Sequence, residues 1–285
     1  MQLISWFPFS ILATLLFGIA MAFYKLPAAK NQSKYAVSFW QLFFNFVFSL
    51  IFFYKLVPLI NMDTVLFGAV WGLVFLLQSL LQMQALKDLD TNMLYPVTTS
   101  LSLLGSVLFG ILFFRDHLSW IQVMGIILVL ITVFLFSYKG KKLQYSKEII
   151  VIGLGIAFFS AFGKILQKFA VGNVDLQALQ ITQYLSATFF SLIMYTLIHR
   201  KEFKKHIFSK TVKSGLMISV PSFLGGYMWL IALSKGPFTL VTSIHSLYII
   251  IVAVVAYFVF KEKLTARKLF LIALAVLATI LIRIG

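Results

Sequence analysis

Apolar runs of about twenty residues recur along the whole chain, each closed by a short polar interval. A run of that length crosses the roughly 30 Å hydrocarbon layer of a bilayer as one helix. The pattern predicts ten spans, near 6–25, 36–55, 64–86, 92–114, 119–138, 149–170, 176–198, 211–234, 238–260 and 266–283. Every connection is short except 199–210, and none has room for a soluble domain. The runs are continuously apolar rather than alternating, which argues against a transmembrane β-barrel. The predicted fold class is an all-α polytopic membrane protein.

The pattern also repeats. Residues 114–119 read Phe-Arg-Asp-His-Leu-Ser, and residues 260–265 read Phe-Lys-Glu-Lys-Leu-Thr. The two match in type at each step: aromatic, base, acid, basic, leucine, hydroxyl. They lie about half the chain apart, and each sits between two apolar runs. Further echoes support a duplication. Gln41 answers Gln183, Phe48-Ser49-Leu50-Ile51 answers Phe190-Ser191-Leu192-Ile193, and Ala85-Leu86 answers Ala232-Leu233. Five spans per copy is an odd number, so the second copy must enter the membrane from the opposite side. The expected organisation is a first five-helix repeat at 1–138, a cytoplasmic linker at 139–148 and a second, inverted repeat at 149–285. Inverted repeats with a midplane site between them are a transporter signature. Within each turn, Ser119 or Thr265 is placed to cap the next helix, and the acid is expected to pair with its basic neighbour and lock a hairpin.

Composition agrees with the membrane reading. Hydrophobic residues make up 61% of the chain, and charged residues only 11%. The net charge of +16 does not indicate nucleic acid, because the basic residues sit in short loops, where they orient helices and meet lipid headgroups. Loops on one side hold Lys25, Lys30, Lys34, Lys87, the lysines of 139–147, the basic run 200–213 and the basic residues of 261–268. The minority on the other side or within spans are Lys55, Arg115, Lys164, Lys168, Lys235 and Arg283. Cytoplasmic loops collect Lys and Arg, so both termini are expected outside a bacterial or archaeal plasma (inner) membrane. Ala20-Met21-Ala22 imitates a signal cleavage site, but no basic residue precedes the first run, which favours a retained helix. The chain has no cysteine, hence no disulfide or thiolate site.

Polar residues inside spans are the candidate site, because they are expensive in hydrocarbon. Trp71, Gln78 and Gln82 recur at helical spacing in the third span. Tyr95, Thr98, Thr99 and Ser102 share a face of the fourth, and Thr242, His245 and Ser246 punctuate the ninth. Any one of these also fits a packing role, since hydroxyls bond back to their own helix and amides tie helices together. Together they predict a polar cavity. Pro96 removes a backbone hydrogen bond near Asn92, and Gly225-Gly226 follows Pro221. These are candidate hinges that would let Tyr227 and Trp229 shift, although close packing explains the glycines equally. Lys164 is the basic side chain well inside a span. Snorkelling to the headgroups is the simpler reading; the sharper one has it face the cavity and hold a substrate carboxylate. All eight acids lie at or near span ends, which leaves His245 as the central candidate for a proton relay.

The chain resembles the drug/metabolite transporter superfamily, in its ten-helix EamA-type branch. The resembling residues are Ala85-Leu86, Tyr95-Pro96-Val97, residues 114–119 and Gln122-Val123-Met124-Gly125, with Ala232-Leu233 and residues 260–265 in the second half. Two departures stand out: Thr242-Ser243 replaces the proline in the ninth span, and Phe270-Leu271-Ile272-Ala273 lacks the glycine of the last. The resemblance implies two five-helix repeats and export or exchange of small metabolites, often amino acids.

The function expected is therefore secondary transport of a small metabolite by alternating access, most readily an amino acid or related polar or aromatic solute. No cofactor, metal or nucleic-acid partner is expected, and the sequence leaves monomer or homodimer undetermined. A membrane enzyme or flippase acting on a lipid-linked substrate is the alternative. The enzyme would need clustered acids or histidines at an interface loop, and His117, His199, His206 and His245 are scattered. A scaffold protein would need neither duplication nor polar helix faces.

Overall fold

The computed structural model describes residues 3–89, 91–137, 147–198, 210–262 and 265–285. Most of the expected linker 139–148, the side chain of Pro96, and His199, His206, Lys263 and Leu264 lie outside the described residues. The helices are α1 Leu3–Phe23, the single turn α2 Leu26–Ala29, α3 Lys34–Phe53, α4 Met62–Asp88, α5 Thr91–Leu112, α6 Trp120–Ser137, α7 Lys147–Val171, α8 Leu176–Ile198, α9 Thr211–Lys235, α10 Phe238–Ser246, α11 Tyr248–Phe260 and α12 Ala266–Ile284. Among the described residues there is no strand. Seven helical segments are long and apolar enough to cross a membrane, and three shorter apolar ones, at 97–112, 120–133 and 269–284, accompany them.

Helix starts follow local chemistry. Asn61 Oδ1 accepts from the Thr64 amide at 2.9 Å while Thr64 Oγ1 accepts from the Asn61 amide at 2.7 Å, a reciprocal cap at the start of α4. Asp175 Oδ1 accepts from the amides of Gln177 and Ala178 to open α8. Ser119 caps α6 as expected: its Oγ accepts from the Gln122 amide at 3.2 Å, and Gln122 Oε1 accepts from the Ser119 amide at 3.0 Å.

The sequence echo has a backbone counterpart. Arg115 and Lys261 both adopt the left-handed conformation, at φ 54° and 58°. An L-residue pays about 1–2 kcal/mol to do so. In each turn the next amide folds back onto the helix just ended, Asp116 N–H to the Gly110 carbonyl and Glu262 N–H to the Ala256 carbonyl, both at 3.2 Å. Such left-handed endings close off orphan helix carbonyls. The expectation that the acid pairs with the base beside it is corrected at Asp116, while at Glu262 the neighbour Lys263 lies outside the described residues. Asp116 Oδ2 instead accepts from the Thr239 amide, and Glu262 reaches Lys25 and Thr91.

Packing follows one scheme twice. α1 lies on α9 as α7 lies on α4, α4 lies on α8 as α9 lies on α3, and α5 lies on α7 as α10 and α11 lie on α1. α3 with α8, α5 with α10, and α6 with α12 close the arrangement. Small residues allow these approaches, as in membrane helix pairs generally. A Cβ at Gly68 would stand 2.3 Å from Thr182 Oγ1 on α8, and one at Gly215 would stand 2.5 Å from Trp40 Cβ on α3.

The predicted span 238–260 is one apolar segment long enough to cross a membrane, with a single tight turn at Leu247, whose amide bonds the Ile244 carbonyl between α10 and α11. Neither proline nor glycine stands at the turn, so the pattern of residues gives no warning of it.

Candidate functional site

His245 and Tyr248, three residues apart across the turn at Leu247, lie on a cavity lined by α1, α4, α7, α9, α10 and α11. Its volume is about 60 Å³, room for a few waters. From α7 come Ser160, Gly163, Lys164 and Gln167, which share one helix face at steps of three and four residues. From α4 come Trp71, Val74, Phe75 and Gln78; from α1, Phe17 and Met21; from α9, Trp229. The described lining contains no Asp or Glu.

Lys164 does not snorkel. It is 7% exposed and lines the cavity. Its Nζ donates to Ser102 Oγ at 3.1 Å, and Ser102 Oγ donates in turn to Ser160 Oγ at 2.9 Å. Opposite stands an aromatic group. The His245 ring lies 4.5 Å from that of Trp229, 5.0 Å and edge-on from Phe17, and 5.4 Å from Tyr248. The Trp229 indole N–H donates to Gln167 Oε1, which fixes both side chains. The Tyr248 hydroxyl pairs with Thr99 Oγ1 at 2.7 Å. His245 Nδ1 is buried and makes no hydrogen bond among the described residues. Groups of His and acids that could hold a metal are absent among those residues.

Of the residues expected at a cavity, the structure brings together Trp71, Gln78, Lys164, Trp229 and His245. The others do not line it. Tyr95 is fully buried behind it, with its hydroxyl donating to the Met21 carbonyl at 2.7 Å. Thr98, Thr242 and Ser246 donate to carbonyls of their own helices. Thr99 and Ser102 stand one layer back, each holding a lining side chain through the bonds to Tyr248 and Lys164. Gln82 is buried elsewhere on α4 with an unsatisfied carbonyl oxygen, and the Tyr227 hydroxyl pairs with the Gln177 amide group. At the candidate hinge, α9 runs unbroken through Pro221, Gly225 and Gly226. A Cβ at Gly225 would stand 3.1 Å from Leu16 Cβ, and one at Gly226 2.9 Å from the Tyr184 hydroxyl, so both glycines serve close packing. Pro96 lies within α5.

The sequence reading missed Ser160, Gln167 and Tyr248 as lining residues. A signal existed for the first two, because they share the helical face of Lys164. Tyr248 carried the same signal, since it stands three residues after the candidate His245 and so on the same helical face.

Three comparisons place the chain among known proteins. A solved structure described as "Crystal structure of protein" matches with a TM-score of 0.72, covering 94% of this chain and 95% of that one at 13% identity, which shows a shared fold. No curated protein matches by sequence. The EamA-like transporter family matches residues 4–138 and, a second time, residues 147–284. By two successive matches that together take in nearly every described helix, the chain belongs to the EamA-like transporter family.

Proposed function

We propose that the chain is a secondary transporter of small carboxylates with a flat or apolar body, an aromatic amino acid being the type, and that it works by alternating access. The observation that carries this is Lys164, a buried cation on a cavity whose described lining offers no acid and much aromatic surface. A buried ammonium demands a counter-charge or hydrogen-bond acceptors, and Ser102 supplies one acceptor for three donors. A substrate carboxylate would take the others, while Phe17, Trp71, Trp229 and Tyr248 pack its body.

Two inverted five-helix repeats, 1–138 and 149–285, joined by a cytoplasmic linker at 139–148, account for the packing scheme that recurs when the halves are exchanged. Both termini then lie outside a bacterial or archaeal plasma membrane, as the basic loops require. A cavity of about 60 Å³ is far below the roughly 300 Å³ and more of ordinary ligand pockets. Loading therefore needs the helices around the cavity to part on one side.

Purified protein in liposomes, tested with a panel of labelled amino acids, their carboxamides, sugars and nucleosides, tests the proposal. Flux of a carboxylate with little flux of its carboxamide is expected. Equal flux of the two, or flux of sugars or lipid alone, overturns it.

A further inference from the structure

The two echoed turns hold the halves together at opposite ends of the bundle. We propose that Asp116 and Glu262 are a pair of symmetry-related gate latches, one per membrane face, and that each must release for the cavity to open on its side. This inference rests on the alternating-access reading above.

Asp116 follows α5, and its Oδ2 accepts from the Thr239 backbone amide at 2.6 Å, in the first turn of α10. Glu262 follows α11, and its Oε2 accepts from Thr91 Oγ1 at 2.9 Å, the first residue of α5. Each acid thus grips the start of the helix that holds its own helix's place in the other half. The match extends to the bases. Glu262 Oε1 pairs with Lys25 Nζ at 2.6 Å, just past the end of α1. Lys168, near the end of α7, donates to the carbonyls of Leu233 and Gly236 at 2.7 and 3.0 Å, the loop that leads into α10.

The backbone is built for this reach. Left-handed Arg115 and Lys261 turn the following acid back across the bundle rather than out along the surface. Gly110 keeps the approach open, since a Cβ there would stand 2.2 Å from Thr239 Oγ1. A carboxylate at a helix N-terminus gains from the backbone amides and dipole there. The Asp116 carboxylate and the Glu262–Lys25 pair are only partly buried, so water can replace either grip without stranding a charge. Such a contact breaks and re-forms readily, as a gate requires. Both contacts are made together in this structure.

The absence of cysteine provides a clean assay. Ser160→Cys places one thiol on the cavity, and a membrane-impermeant maleimide applied from one face or the other of sealed vesicles reports which side is open. Asp116→Ala is expected to raise labelling several-fold from the face bearing Asp116 and to lower it from the other. Glu262→Ala is expected to do the reverse, and the swapped pair Lys25→Glu with Glu262→Lys to return towards the parent pattern. If an alanine variant fails to fold, Thr239→Pro, which removes the bonded amide at a first-turn position that tolerates proline, and Thr91→Val probe the same latches from their partners. Labelling unchanged in both alanine variants, or shifted towards the same face by both, overturns the proposal. The assay needs no substrate. A chain that switches face on latch removal but moves no tested carboxylate would overturn the substrate reading and leave the latches standing.

Discussion

Replacing Lys164 separates function from stability. Its ammonium is 7% exposed, with Ser102 Oγ as its protein acceptor at 3.1 Å. If a substrate carboxylate meets the remaining N–H groups, Lys164→Met removes at least one charge-assisted hydrogen bond, worth about 1.5–3 kcal/mol. At about 1.4 kcal/mol per tenfold, kcat/KM for a carboxylate should fall roughly 10- to 150-fold, while any flux of the matching carboxamide stays within a few-fold. Stability should move the other way. A buried charge without a carboxylate partner pays for desolvation that an apolar chain of similar length avoids, and such replacements are often neutral or stabilising. Thermal unfolding in detergent should therefore show Lys164→Met at or above the parent Tm. Liposome flux for both solutes and the unfolding midpoint together form the assay. A Met variant that retains full carboxylate flux, or one that loses both solutes together with several degrees of Tm, refutes the reasoning.

Trp229→Phe keeps a ring beside His245 but deletes the donor to Gln167; carboxylate KM should rise several-fold with little change in Tm, measured by the same flux. Tyr248→Phe and Thr99→Val each break the 2.7 Å hydroxyl pair and should each cost about 1 kcal/mol; the double variant should lose less than the sum of the two in denaturant unfolding. Gly68→Val must push α4 from α8, since even a Cβ would stand 2.3 Å from Thr182 Oγ1 and 2.9 Å from the Gln183 amide nitrogen. A loss of about 1–3 kcal/mol is expected, with partial recovery on adding Thr182→Ala, read as Tm.

Much of the fold was legible because the bilayer enforces it. Backbone groups in hydrocarbon must be satisfied within a helix, so the apolar runs had to be helices and the basic loops had to mark their ends. The echo of 114–119 in 260–265 was legible for a similar reason: a turn that ends a helix and starts the next needs a fixed set of residue types, and Ser119 with Gln122 caps α6 as its position suggested. What the acids touch was not legible. Sequence places Arg115 beside Asp116 and Lys261 beside Glu262, and nothing in that adjacency shows that a left-handed residue directs each acid to the opposite half.

The site was harder to read because hydroxyls at helical spacing are ambiguous. Thr98, Thr242 and Ser246 sit where a cavity face would put them, yet each spends its proton on a carbonyl of its own helix. An amphipathic stripe of Ser and Thr is thus weak evidence for solvent or substrate. Lys164 is stronger evidence, because no local carbonyl can neutralise an ammonium and the described lining of the cavity brings no acid. Its neighbours point the same way. Ser160, Gly163 and Gln167 share its face of α7, so one helix presents a cation, a hydroxyl and an amide to the same space. On the opposite wall His245 and Tyr248, three residues apart, form one aromatic group with Trp229. The cation and the aromatic wall therefore come from opposite halves of the chain only in part: α7, α9, α10 and α11 belong to the second half, and Phe17, Met21 and the α4 residues to the first. Lys164 and Trp71 stand on α7 and α4, which pack directly across the two halves, so a solute held between them would touch both repeats at once.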